Sequence, residues 1–133
     1  SCRTTFTFAM TEDELQKQVV QFLKVALPTG CVFHHSPNEG RRHVSFKVKL
    51  VKMGTKYGWP DLEIFVPSDQ AVHGMTTAIF IELKRPGGGR LNANQEEMRQ
   101  RLILAGCHWG LARSVEQVYE ILEQFIKNLK AKP

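Results

Sequence analysis

Apolar residues recur along this chain with two different periods, and the switches between them mark its elements. Leu15, Val19, Phe22, Leu23 and Ala26 follow the three- and four-residue steps of one helix face. Thr11 and Glu14 ahead of them fit a capping box, and Pro28-Thr29-Gly30 stops the run. Cys31-Val32-Phe33-His34-His35 reads as a first strand. Leu62-Glu63-Ile64-Phe65-Val66 and Thr77-Ala78-Ile79-Phe80-Ile81 are short, β-branched and aromatic, and are bounded by Pro60, Pro67 and Gly74, which predicts two strands of one hairpin. A helix carrying Gln95, Met98, Leu102 and Ala105 starts at Asn92 or Asn94 and stops at Gly106, and residues 109–112 form a further strand. Ser114 then caps a last helix, with Val118, Ile121, Leu122, Phe125, Ile126 and Leu129 at helical spacing. One stretch reads two ways. Phe46, Val48 and Leu50 alternate with Lys47 and Lys49 as in a strand, whereas Gly54 after Lys52-Met53 is a fair helix stop.

Length and composition narrow the class. A chain of 133 residues with 42% hydrophobic content supports one domain with a sizeable core. We place it at residues 11–133, with 1–10 an extension or in part an expression remnant. No apolar run is long enough to span a membrane, and the amino terminus lacks a signal-peptide core. Cys2, Cys31 and Cys107 are odd in number and widely spaced, without zinc-ligand spacing, which points to a reducing, cytoplasmic setting.

The formal charge of +5 favours a polyanionic partner. Its distribution is uneven: Arg41, Arg42, Lys47, Lys49, Lys52 and Lys56 fall in one stretch, which Arg85 and Arg90 extend. Such a cluster suits phosphate contacts along a nucleic acid, the plainer reading being a solvated helix face. His34 and His35 are adjacent on a strand and point to opposite faces, so at most one joins a site; one packed and one exposed histidine is the plainer reading. Asn38 is the better phosphate or minor-groove contact. The Arg85-Pro86-Gly87-Gly88-Gly89-Arg90 loop is mobile by composition and lacks the ending of a nucleotide P-loop, so it reads as a flexible wall beside a DNA strand.

The sharpest chemical signal is divided between the two hairpin strands. Asp61 opens the first, while Glu82 and Lys84 close the second and share a face two residues apart, with Ile81 and Leu83 turned to a core. Two carboxylates suit Mg²⁺ or Mn²⁺, which bind through few protein oxygens and keep water and phosphate, and an ammonium beside them can orient a water and offset developing charge. Taken alone, Glu-x-Lys on a strand is an ordinary solvated pair. The Pro-Asp turn before it and the Gly87-Gly88-Gly89 run after it give it context.

At these residues the chain resembles the VRR-NUC (virus-type replication-repair nuclease) branch of the PD-(D/E)xK nucleases. The likeness rests on Gly58-x-Pro60-Asp61-Leu62, on Ile81-Glu82-Leu83-Lys84-Arg85-Pro86-Gly87-Gly88 and on Leu91-x-x-x-Gln95. It extends to Glu12-x-x-Leu15-Gln16, to residues 33–38 and to Arg113-Ser114-Val115, and so covers nearly everything after residue 10. It implies an α/β fold with a restriction-endonuclease-like core, a central mixed β-sheet flanked by helices in the order α-β-α-β-β-α-β-α, with residues 44–53 helical. It also implies a bacterial or phage-type Mg²⁺-dependent endonuclease, Mn²⁺ substituting, that acts as a homodimer on branched DNA such as four-way junctions. In that reading Asp61, Glu82 and the Leu83 carbonyl hold metal, Lys84 activates water, and Glu12 and Gln95 support the site. Glu14 already has a capping role, which leaves Glu12 for the active site. The DNA contacts would be Asn38, Arg41, Arg42, Lys52, Arg85 and Arg90. A less selective nicking or restriction-type nuclease, and a DNA-binding module without catalysis, are the alternatives.

Overall fold

Two apolar faces on one sheet organise the molecule. The computed structural model describes residues 10–37 and 44–133. Strands β1 (Val32–His35), β2 (Leu62–Val66), β3 (Thr77–Leu83) and β4 (His108–Ala112) lie side by side in chain order. β1–β2 and β2–β3 are antiparallel and β3–β4 is parallel; the parallel pair is joined by the helical crossover that parallel strands need. The sheet is therefore mixed, and the element order is the expected one.

The pleat of the central strands separates two cores. Leu62, Ile64 and Val66 of β2 and Ile79, Ile81 and Leu83 of β3 are buried on one face beneath α1 (Glu12–Ala26) and α4 (Val115–Glu123). The expected face of α1, from Leu15 to Ala26, is the buried one, and Thr11 Oγ1 accepts the Glu14 N–H at 3.1 Å. On the opposite face Phe80 packs with Met98 and Leu102 of α3 (Ala93–Leu104), flanked by Trp59 and Trp109. β3 is buried on both sides, so the carboxylate of Glu82 is carried into the interior by a strand that cannot shift register without exposing its core.

Two elements depart from simple pattern reading. Residues 44–52, whose alternation suggested a strand, form helix α2 (Val44–Lys52), none of whose residues is buried. With no sheet face behind it, the alternation records nothing about packing. The helix ends in a Schellman motif: Gly54 (φ +108°) donates its N–H to Val51 O, and Thr55 donates to Leu50 O. The last helix is shorter than its apolar spacing suggested. It stops at Glu123, and Phe125, Ile126 and Leu129 pack from an irregular tail instead. That tail is drawn out of helical geometry by backbone pairing with residues 70–72, through Val72 N–H to Phe125 O and Lys127 N–H to Gln70 O, both 2.9 Å. Val118 and Leu122 of α4 and Ile126 of the tail are core, so this apolar stripe is not available to a partner subunit.

Candidate active site

The site begins at the corner that delivers Asp61. Gly58 has φ +75°, and a Cβ there would lie 2.2 Å from the Asn94 carbonyl oxygen, so only glycine lets this corner rest on the start of α3. Trp59 follows, packed edge-on to Phe80 with centroids 5.4 Å apart and its indole N–H donating to Glu63 Oε1 at 2.6 Å. The Asp61 carbonyl accepts the Ser36 N–H and faces His35 Nδ1, each at 2.9 Å. A carbonyl has no proton to give, so His35 carries its proton on Nδ1 in this contact. The carboxylate faces the other neighbour and accepts the Leu83 N–H on Oδ2 at 2.7 Å. Asp61 is thus fixed from both adjacent strands.

Glu82 is held by the capping box of α3. Asn92 Oδ1 accepts the Gln95 N–H at 2.8 Å and Gln95 Oε1 accepts the Asn92 N–H at 3.0 Å. The second bond orients the Gln95 amide, leaving Nε2 to donate to Glu82 Oε1 at 2.9 Å. One side chain therefore both starts the helix and steadies the carboxylate. Lys84 lies on the same face of β3, its Nζ 4.0 Å from Glu82 Oε1. Both are almost sealed from solvent, at 4% and 8% exposure.

Such burial is electrostatically expensive. Burial itself, then the neighbouring Asp61 carboxyl, pushes the Glu82 pKa up to about 9, and Lys84 offsets only part of this. Burial also raises Asp61, against the lowering effect of the Leu83 N–H. Two crowded carboxyls that resist ionising together make a hard-oxygen pair that a divalent cation would relieve, so the donor set fits Mg²⁺ or Mn²⁺. Among the described residues no three His, Cys, Asp or Glu side chains converge as a closed metal cage. An ion here would rely on Asp61, Glu82, backbone oxygen, water and substrate.

A cleft of about 650 Å³ opens over this floor. Asp61, Glu82, Lys84, Gln95 and Glu12 all line it, with Lys47, Lys56 and Tyr57 among the walls. Glu12 faces the pair closely enough to raise the Glu82 pKa further, whereas Glu14 is exposed. The expected DNA contacts are more scattered. Lys52, Arg85 and Arg90 are exposed outside the cleft lining, and Asn38, Arg41 and Arg42 lie outside the described residues. The reading of one packed and one exposed histidine fails, since His34 and His35 are both exposed, but only His35 contacts Asp61, in keeping with at most one joining the site. The glycine loop is not a loose wall either. The Arg113 guanidinium donates to the carbonyls of Arg85 (3.1 Å), Gly88 and Gly89 (2.8 Å).

The sequence reading gave Glu63 no role, and it named Arg113 only within the Arg113-Ser114-Val115 likeness. Glu63 shares the Asp61 face at i+2, and its Oε1 accepts from both Trp59 and Ser36, tying the corner to β1. That spacing was the available signal. No local spacing discloses what Arg113 does, since its acceptors precede it by 24 to 28 residues.

No sequence profile of a protein family matches the chain, and no curated protein sequence matches it. Solved structures do. One described as a VRR_NUC domain protein is 29% identical, superposes with a TM-score of 0.68, and the match covers 90% of each chain. Another, described as a VRR_NUC domain, is 21% identical with a TM-score of 0.52 over 86% of this chain and 97% of that one, a likeness of fold.

Proposed function

Taking as premise that the chain is a VRR-NUC domain, we propose that it is a Mg²⁺-dependent, structure-selective DNA endonuclease acting on branched DNA such as four-way junctions. The observation that carries the reading is the convergence of Asp61, Glu82 and Lys84 on the floor of one cleft. Asp61, Glu82 and the Leu83 carbonyl would hold the ion. Once bound, a divalent cation supplies charge neutralisation at the scissile phosphate and acidifies the attacking water, and Mn²⁺ can take its place. The chain's own groups supply the rest. The Lys84 ammonium orients the attacking water and offsets charge on the phosphoryl oxygens, with 5′-phosphate and 3′-hydroxyl ends as products. Gln95 keeps Glu82 aimed into the cleft, and Glu12 supports the far side. Lys47 and Lys56 on the walls, together with Arg41, Arg42, Lys52, Arg85 and Arg90, supply charge for the flanking phosphates, and Asn38 a polar contact.

One chain carries one such site, so paired cuts in opposed strands call for a homodimer. Its interface would use a sheet edge, where Val32 of β1 is 61% exposed, because the apolar stripe of α4 is already core. Matched duplex, nicked, flap and four-way DNA, incubated with Mg²⁺, Mn²⁺ or chelator, test the reading. Metal-dependent cutting concentrated on branched substrates is expected. Cutting that survives chelation would overturn the metal assignment, and equal cutting of plain duplex would favour the nicking-nuclease alternative.

A further inference from the structure

Lys84 presents a positional problem. Its Nζ is 4.0 Å from Glu82, beyond hydrogen-bonding distance, and its stem has four rotatable carbons. No hydrogen bond within the described residues fixes the ammonium, yet the side chain is only 10% exposed. The glycine loop passes beside it. Gly89, at φ +79°, passes so close that a Cβ there would sit 3.5 Å from Lys84 Cδ and 3.8 Å from Glu12 Oε1. The loop is therefore a roof over the lysine stem.

A run of three glycines has no intrinsic reason to hold one shape. The hold comes from Arg113. Its two terminal nitrogens donate to the carbonyls of Arg85, Gly88 and Gly89, both ends of the roof, and its own backbone N–H is anchored on Gln117 Oε1 at 2.7 Å, in the first turn of α4. The preceding residue, Ala112, accepts the Lys84 N–H at 3.1 Å. The end of β4 thus grips Lys84 twice, by backbone at its own N–H and by guanidinium through the loop that follows. A lysine at this position would keep the charge but not the fork that reaches several carbonyls at once.

We propose that Arg113 is a positioning residue for Lys84, locking the 85–89 loop as a roof that holds the ammonium over the carboxylate pair. The proposal rests on the nuclease reading above. It differs from a purely structural role in predicting that the effect of Arg113 on the chemical step passes through Lys84.

A double-mutant cycle separates the two. Single-turnover cleavage and DNA affinity are measured for wild type, Arg113→Gln, Lys84→Ala and the pair, with amide exchange followed over residues 87–90. Arg113→Gln should slow cleavage by about 10- to 100-fold, the range for losing a group that orients a catalytic one. DNA affinity should stay within about twofold, the scatter of independent effects. The double variant should be no slower than Lys84→Ala, and exchange at 87–90 should rise in Arg113→Gln alone among the single variants. Multiplying rate losses, a parallel loss of affinity, or unchanged exchange would each overturn the proposal. If Arg113→Gln does not stay folded, Arg113→Lys takes its place in the same cycle, with a smaller loss expected. A wild type that cleaves no DNA would remove the nuclease reading and this proposal with it; a cleaving wild type with multiplying losses would remove this proposal alone.

Discussion

Glu82 and Asp61 are two acids forced to share one protonation problem, and that gives each a measurable signature. Glu82→Gln or Asp61→Asn keeps shape and removes charge, so cleavage should fall by at least about 100-fold while DNA is still bound. Lys84→Ala should slow the chemical step by about 10²- to 10⁴-fold, with metal affinity by calorimetry largely kept. The acids also make stability depend on pH. The Glu82 carboxyl ionises at about 4.5 ordinarily and at about 9 in the fold, so between those values the folded chain keeps a proton that the unfolded chain has released. Its stabilising contribution is full below the lower value and is lost as pH rises toward the upper one, and Asp61 shifts in the same direction. Metal-free protein should therefore melt lower as pH climbs through this window, and Mg²⁺ should raise the melting temperature most at its alkaline end. A melting temperature that rises with pH in the absence of metal would contradict the assignment. The acids and Lys84 were visible in sequence because strand alternation puts i and i+2 on one face. The partners of Asp61 were not: Ser36 and His35 reach its carbonyl across a strand pairing that no local pattern specifies.

Helices and strands were readable where a buried face enforces a period. The α1 stripe and the two hairpin strands are such cases, each with a core behind it. Residues 44–52 lack one, so their alternation carried no information, and the stop at Gly54, with the family likeness, pointed to the helix that forms. The tail after Glu123 shows the opposite limit, since Phe125, Ile126 and Leu129 are packed as their spacing implied but by pairing with residues 70–72 rather than by helix. The start of α3 couples folding to chemistry in a testable way. Asn92→Ala should cost about 1 kcal/mol of stability, typical of a lost N-cap. It should also slow cleavage, because the same box orients Gln95 toward Glu82. Gly58→Ala should cost more, on the order of 1–3 kcal/mol for backbone conformation alone, with its Cβ driven into the Asn94 carbonyl. Urea midpoints for the two variants, which sit on either side of the same packed corner, would establish the order.

At the scale of the molecule, Asp61, Glu82 and Lys84 share the sheet face opposite the larger core, and Glu12 reaches them from the start of α1. Charge belongs to this scale too. Replacing Lys47, Lys52 and Lys56 with glutamine should weaken binding alike for DNA of any sequence and flatten the salt dependence, by about 0.9 in log–log slope for each phosphate no longer neutralised. An unaltered slope would move the DNA to another face. Helix α2, which carries two of these lysines, contributes no buried residue. It follows that α2 lies outside the core-packing constraint that fixes the sheet. Substitutions there need not disturb either core, so one gripping surface could be exchanged for another, and with it the DNA shapes preferred, while Asp61, Glu82 and Lys84 keep their places on the sheet.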